Sequence, residues 1–222
     1  MQTTSRSTRI TLLIAIAATL CMIAAKLLSY SQLVYLPGAI AMIAEAFLLL
    51  AVYAFAVAWP QGRIGFLLRP QFATLLGAIA GVLQIIHLLV ERFIAFPSLW
   101  NGLVTLAFML ATFCFWGVTG YRAHVLGLSF IPACLAALWS AVVTMTTAVF
   151  AGTLLELFIA PIPLESMRAW GEFQRSGWND LYAFSIANTI VEVSTHLFVG
   201  PIVACIFGTI GFRLRRLSSK PD

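Results

Sequence analysis

Two short patterns of polar side chains stand inside apolar stretches of this 222-residue sequence. The first consists of Gln84, His87 and Glu91, and the second of Asn188, Glu192 and His196. On a helix, residues about one or two turns apart share a face, so each pattern would form a polar stripe. Carboxylates and imidazoles grouped in this way can hold a cation, relay a proton or bind a metal.

Two further ionisable residues, Glu45 and Lys26, lie in apolar stretches of their own. A charged side chain at the bilayer centre costs about 2.5–3.5 kcal/mol on insertion scales, so it normally faces the bundle interior and pairs there. The stretch around Glu45 is apolar on both sides, which favours a role inside the bundle. Lys26 can instead extend its long side chain to the outer headgroups.

The composition of the chain indicates which elements position these side chains. Hydrophobic residues make up 61% of the sequence and charged residues 9%, and the mean hydropathy is +0.98, whereas soluble domains carry about 25% charged residues. The apolar residues form runs close to the roughly 20 residues that a helix needs to cross a bilayer. Only helices and closed barrels satisfy every backbone polar group in hydrocarbon, and these runs are too long for barrel strands. We therefore predict an all-α fold, a polytopic membrane helix bundle in which residues 1–222 form a single transmembrane domain.

Six apolar runs are long enough to be transmembrane helices. They cover about 10–29, 38–59, 72–93, 99–118, 126–150 and 181–212. Short basic loops follow the second and fourth spans, and a longer polar linker, 160–179, precedes the last. Trp170 and Trp178 in this linker fit an interfacial helix that connects two spans, or a lid over an external site.

The distribution of basic residues predicts the orientation. Nine Lys and Arg residues lie in the N-terminal segment, the loops 61–71 and 119–124 and the C-terminal tail, against three at the opposite ends of the spans. The positive-inside rule then places both termini in the cytoplasm, with the linker outside a plasma (inner) membrane. The net charge of +5 is explained by this role, so no nucleic acid is expected as a partner. The expected contacts are the lipid bilayer and either partner membrane subunits or further copies of the chain.

The ionisable residues of four predicted spans fall at one depth. With a rise of about 1.5 Å per residue, they lie roughly 21–30 Å from the cytoplasmic ends of their helices. We therefore predict one polar layer in the outer third of the bilayer, which opens outward and binds a ligand. Its members would be Lys26, Glu45, His87, Glu91, Asn188, Glu192 and His196.

Other features predict helix packing. Pro201 lacks a backbone N–H, so it should kink the last span and free the carbonyl of Leu197. Gly77 and Gly81 would let another helix approach closely. Trp116, near the end of a span, fits the aromatic belt at a membrane boundary.

Three functions are consistent with the polar layer. The first is transport or capture of an ion or a small polar solute. The second is a metal- or haem-dependent membrane enzyme or electron carrier. Iron or zinc would then be bound by Glu45, His87, Glu91, Glu192 and His196, and a haem would lie between His87 and His196. The third is a structural subunit or assembly factor of a membrane complex, whose buried charges fix helix pairing. Whether the chain is an enzyme depends on which of the three holds.

Overall fold

A computed structural model describes residues 4–31, 33, 39–59, 70–94, 98–159, 173–176 and 178–218. The regular structure within these ranges is helical. The long helices are α1 (Arg6–Ser29), α2 (Ala39–Ala58), α3 (Gln71–Phe93), α4 (Ser98–Val125), α5 (Phe130–Leu154) and α6 (Leu181–Ser218). A π-helical turn, Leu155–Ile159, continues α5. These six helices are long and apolar enough to cross a membrane, so the predicted six-helix membrane fold is confirmed.

One difference from the predicted boundaries is at the end of α4. Residues 119–124, predicted as a loop, belong to this helix, and the Thr119 hydroxyl donates to the Phe115 carbonyl at 2.9 Å. A hydroxyl that bonds the preceding turn in this way lets a polar residue remain helical. The turn comes later, at Gly127, whose φ of 75° suits glycine. Most of the predicted loop 61–71 and linker 160–179 lies outside the described residues.

The helix α5 occupies the centre of the bundle. It packs against α1, α3, α4 and α6, and most of its small side chains are buried. Near its midpoint, the Thr144 hydroxyl lies 3.0 Å from the Gly77 carbonyl oxygen and 2.9 Å from that of Ser140. The same hydroxyl accepts a hydrogen bond from Trp116 Nε1 at 3.4 Å. Trp116 is therefore a core residue, 1% exposed, and the prediction that it belongs to the interfacial belt is wrong.

Glycines set the closest helix approaches. Gly77 and Gly81 of α3 face α5, and a Cβ added to Gly81 would lie only 2.9 Å from Thr147 Cβ. The predicted close packing at these two glycines is confirmed. The helices α4 and α6 also meet backbone to backbone, because a Cβ added to Gly120 would collide with Gly208. Small residues at such crossings are the usual means by which membrane helices gain packing contacts.

A side chain of α2 compensates for the proline in α6. Pro201 lies inside α6, and it cannot donate to the carbonyl of Leu197, one turn earlier. The buried hydroxyl of Tyr53 donates to this carbonyl instead, at 3.0 Å. The predicted free carbonyl is confirmed, and its partner links α2 to α6.

Removing this hydroxyl in Tyr53→Phe is expected to destabilise the protein by about 1–3 kcal/mol, because the Leu197 carbonyl would remain buried without a donor. In a Pro201→Ala background the restored backbone N–H can bond the carbonyl, so the same change should cost much less. Thermal unfolding of the four proteins of this double-mutant cycle, in one detergent, measures the difference. Equal losses in both backgrounds would mean that the tyrosine does not compensate for the proline.

The two ends of the bundle carry different charges. At the end that holds the start of α1, Arg9 Nε donates to the Val57 carbonyl at 2.9 Å and Arg9 Nη2 to that of Ala58 at 2.8 Å. These carbonyls belong to the last turn of α2, where a cation is favourable. Arg122 and Arg215 lie over aromatic rings at the same end. The opposite end, where α3 and α5 finish and α4 and α6 begin, carries the acidic side chains of the candidate site.

Candidate functional site

A cleft of about 500 Å³ opens between α3, α4, α5 and α6, at the end of the bundle opposite the start of α1. We call it the acidic cleft. Its ionisable lining residues are His87, Glu91, Arg92, Glu156, Glu192 and His196. The structure thus brings together five of the side chains predicted for the polar layer. These are His87, Glu91, Asn188, Glu192 and His196.

The α3 wall holds His87 in a fixed position. The His87 side chain is 8% exposed, and its Nε2 lies 3.3 Å from Thr105 Oγ1 of α4 and 3.8 Å from Glu91 Oε2. Its ring stacks on Phe108, with centroids 5.1 Å apart. One turn earlier, Gln84 Nε2 donates to Thr112 Oγ1 at 2.6 Å. The polar face predicted for this helix therefore points towards α4 and into the cleft.

The α6 wall presents a connected row of polar groups. Asn188 Nδ2 donates to Glu192 Oε1 at 2.7 Å. One turn further on, His196 Nδ1 lies 2.7 Å from the backbone oxygen of Glu192. Because a carbonyl oxygen only accepts, Nδ1 carries the proton, and Nε2 of the neutral ring is then an acceptor. Glu192 is half-buried, whereas Asn188 and His196 are exposed, so all three groups can meet a ligand.

Glu156 is a functional candidate that the sequence interpretation missed. It lies half-buried in the π-helical turn after α5, beside Thr189 of α6. Such turns change the direction of the side chains that follow and are frequent at functional sites. Glu156 is the single acidic residue between positions 130 and 159. A lone carboxylate in an apolar stretch is also the feature that made Glu45 a candidate. Glu156 lies beyond residue 150, the predicted end of the fifth span, and the predicted polar layer does not include it.

Acidic side chains outnumber basic ones in the acidic cleft. Arg92 of α3 interacts electrostatically with Glu156 and Glu192, and these two carboxylates also interact with each other and with Glu91. Among the described lining residues, Arg92 is the one lysine or arginine. Three acidic side chains and one guanidinium therefore line the cleft, and in apolar surroundings the attraction of an ionised carboxylate for a cation is stronger than in water.

The two other predicted members of the polar layer, Glu45 and Lys26, do not line the acidic cleft. Glu45 is exposed on α2, which packs against α1 and α6 rather than against the cleft helices α3 and α4. Lys26 of α1 places its Nζ 4.6 Å from the ring centroid of Phe158, on the π-helical turn. Equal depth in the membrane does not fix which way a side chain points around its helix, and both residues face elsewhere.

The metal-ligand set predicted from the sequence is not assembled. It included Glu45, which lies outside the acidic cleft. In the part of the chain that the structure describes, no three His, Cys, Asp or Glu side chains are grouped so that they could hold a metal ion. The Nε2 of His87, predicted as a haem ligand, is directed at Thr105 and Glu91. The contacts of the cleft therefore give no support to iron, zinc or haem as a cofactor.

Aromatic residues of the linker pack against Phe184 of α6. Phe173 and Trp178 both make edge-on contacts with Phe184 of α6, with centroids 5.7 and 6.0 Å apart. Phe184 itself lines the cleft. The remainder of the linker, including Trp170, lies outside the described residues, and the lid stays a prediction.

Comparison with protein-family models, with curated proteins and with solved structures finds no match to this chain. The chemistry of the acidic cleft therefore rests on its own side chains and contacts.

Proposed function

We propose that the protein is a multi-pass protein of the plasma (inner) membrane whose acidic cleft captures a small cation or a cationic solute from outside, for transport or for delivery to a partner subunit. The observation that carries this proposal is the excess of carboxylates over guanidinium around an open cleft. In membrane proteins, ionisable groups that face a cavity commonly mark the path of an ion or a substrate.

The open volume of the cleft favours a ligand over a purely structural role. Buried charges that only fix helix pairing are expected to pair with one another in packed surroundings. Here Glu91, Glu156 and Glu192 line an open volume of about 500 Å³, which packed surroundings would not leave. The Glu91 side chain is 41% exposed, so it is available to an entering cation.

The distribution of arginines supports an outward-facing cleft. Arg9, Arg122 and Arg215 lie at the end of the bundle opposite the cleft. Basic residues next to membrane spans favour the cytoplasmic side. Both termini would then be cytoplasmic, and the acidic cleft would open to the exterior.

The proposal predicts a charge preference in thiol labelling. In a background with the four free cysteines replaced by alanine, Asn188→Cys should react in intact cells with methanethiosulfonate reagents that do not cross membranes. The reaction rate with a trimethylammonium reagent, divided by the rate with a sulfonate reagent, should be about tenfold higher at this cysteine than at a small free thiol. The reason is that the carboxylates attract the cationic reagent. In the Asn188→Cys protein, the additional change Glu192→Gln should lower this rate ratio towards that of the free thiol.

Leu126→Cys provides the matched control, since this exposed residue lies at the other end of the bundle. It should react only after the cells are permeabilised. Labelling of Leu126→Cys from outside would contradict the orientation. A rate ratio at Asn188→Cys equal to that of the free thiol would contradict the cation preference.

A further inference from the structure

A second, apolar cleft lies beside the acidic cleft. It has a volume of about 340 Å³ and lies between α1, α2 and α6, with Leu27, Ala39, Ile43, Ala187 and Ile190 among its lining residues. Asn188 is the one amide or charged side chain that lines it in the described part of the chain. It is called the apolar cleft below, and it suits hydrocarbon rather than a hydrated ion.

The two clefts adjoin along one edge of α6. Phe184 and Asn188, one turn apart, line both of them. On the acidic side of this edge, Asn188 bonds the Glu192 carboxylate at 2.7 Å. On the other side, Ala187 and Val191 line the apolar cleft. A ligand that crosses the edge would therefore contact charged groups at one end and hydrocarbon at the other.

The two environments lie close together along the axis of α6. Ala187 and Glu192 are five positions apart on α6, which corresponds to roughly 7.5 Å along the helix axis. A headgroup beside the carboxylates with an alkyl chain of moderate length can thus occupy both clefts at once. Phe184 offers an aromatic surface at the junction, where apolar chains and cationic groups can both make favourable contact.

On the premise of the cation site proposed above, we infer that the ligand is a single-chain cationic amphiphile, such as a long-chain amine or quaternary ammonium compound. Glu156 and Glu192 would hold its positively charged headgroup in the acidic cleft. Its alkyl chain would pass Phe184 and lie in the apolar cleft. Charge complementarity identifies the headgroup, and the lining residues Phe184 and Asn188, which the two clefts share, identify the path of the chain.

The position of the chain can be tested by photo-crosslinking in nanodiscs. The probe is decyltrimethylammonium with a diazirine at the end of its chain, and unlabelled decyltrimethylammonium is the competitor. We expect competed crosslinks on residues of the apolar cleft, such as Leu27 and Ile43. Competed crosslinks confined to the lipid-facing side of α4 would overturn the inference.

Two variants that fill the apolar cleft test the same point by affinity. Ala187→Phe and, from the opposite wall, Ile43→Trp should each weaken decyltrimethylammonium binding by about tenfold or more, because the chain loses its buried contacts. Tetramethylammonium, which has the headgroup alone, should bind these variants as it binds the wild type. Val199→Phe, at an exposed position of α6 outside both clefts, is the matched control and should change neither affinity.

The outcomes separate the inference from the cation site on which it rests. Binding of both compounds, with only the longer one sensitive to Ala187→Phe and Ile43→Trp, supports the amphiphile. Binding of both compounds with equal affinity in wild type and in the two filled variants overturns the amphiphile and leaves the cation site intact. Absence of saturable binding for both compounds overturns the amphiphile, and it overturns the cation site as well when Na⁺ and K⁺ also fail to bind.

Discussion

Replacing Gly120 by leucine is expected to abolish accumulation of the folded protein. Any side chain at this position would strike the backbone of Gly208, and α4 and α6 could no longer approach. A backbone collision cannot be relieved by a change of rotamer, so the cost should exceed the roughly 1–3 kcal/mol of ordinary overpacking. Gly211 packs in the same way against Gly117, and the collision would therefore disturb a whole crossing. Size-exclusion chromatography of a fluorescent fusion in mild detergent measures the loss.

Gly102 provides the matched control because it lies in the same helix, where an added Cβ would meet nothing within 4 Å. Gly102→Leu should accumulate as a monodisperse peak like the wild type. A normal peak for Gly120→Leu would show that α4 and α6 do not cross at this glycine.

Arg92→Gln is expected to increase the affinity of the acidic cleft for cations. The guanidinium interacts with Glu156 and Glu192, so its removal leaves both carboxylates free to attract a ligand. With the reduced dielectric constant of a membrane-embedded cleft, the gain should be on the order of tenfold. The same change should lower thermal stability in the absence of cations, because removal of one partner leaves half-buried carboxylates without their counter-charge. Added tetramethylammonium should restore more stability to this variant than to the wild type.

The measurement for this prediction is the unfolding temperature as a function of tetramethylammonium concentration. Arg175→Gln is the control, since Arg175 is exposed and does not line the acidic cleft. It should leave the cation dependence unchanged. Weaker stabilisation of Arg92→Gln than of the wild type would mean that Arg92 helps to bind the ligand rather than competing with it.

The sequence predicts the six spans and the two polar faces well, because both depend on local patterns. Apolar runs of span length determine the helices, and the one-turn spacings in α3 and α6 place His87, Glu91, Glu192 and His196 on two faces that meet in one cleft. Helix geometry alone is sufficient for both results.

The sequence does not predict in the same way how each helix is rotated about its own axis, or which side chains meet between helices. Glu45 has the same predicted depth as the other acidic residues, but on α2 it is exposed on the outer surface of the helix bundle. Glu156 reaches the acidic cleft through a π-helical turn, which interrupts the α-helical periodicity on which such a prediction rests. The partner of the Leu197 carbonyl, Tyr53, comes from a distant part of the chain. In each case the deciding fact is how one helix packs against another.

The most direct test of the central claim is calorimetric titration of tetramethylammonium, Na⁺ and K⁺ into the protein in nanodiscs. Wild type, Glu192→Gln and Glu45→Gln should be compared under identical conditions. The acidic cleft predicts saturable binding of at least one of these cations to the wild type. It also predicts that affinity falls by about tenfold or more in Glu192→Gln, where a carboxylate of the cleft is lost, and is unchanged in Glu45→Gln, where the lost carboxylate lies elsewhere. Absence of saturable binding for all three cations, or equal affinity in wild type and Glu192→Gln, would contradict the claim that this cleft is a cation site.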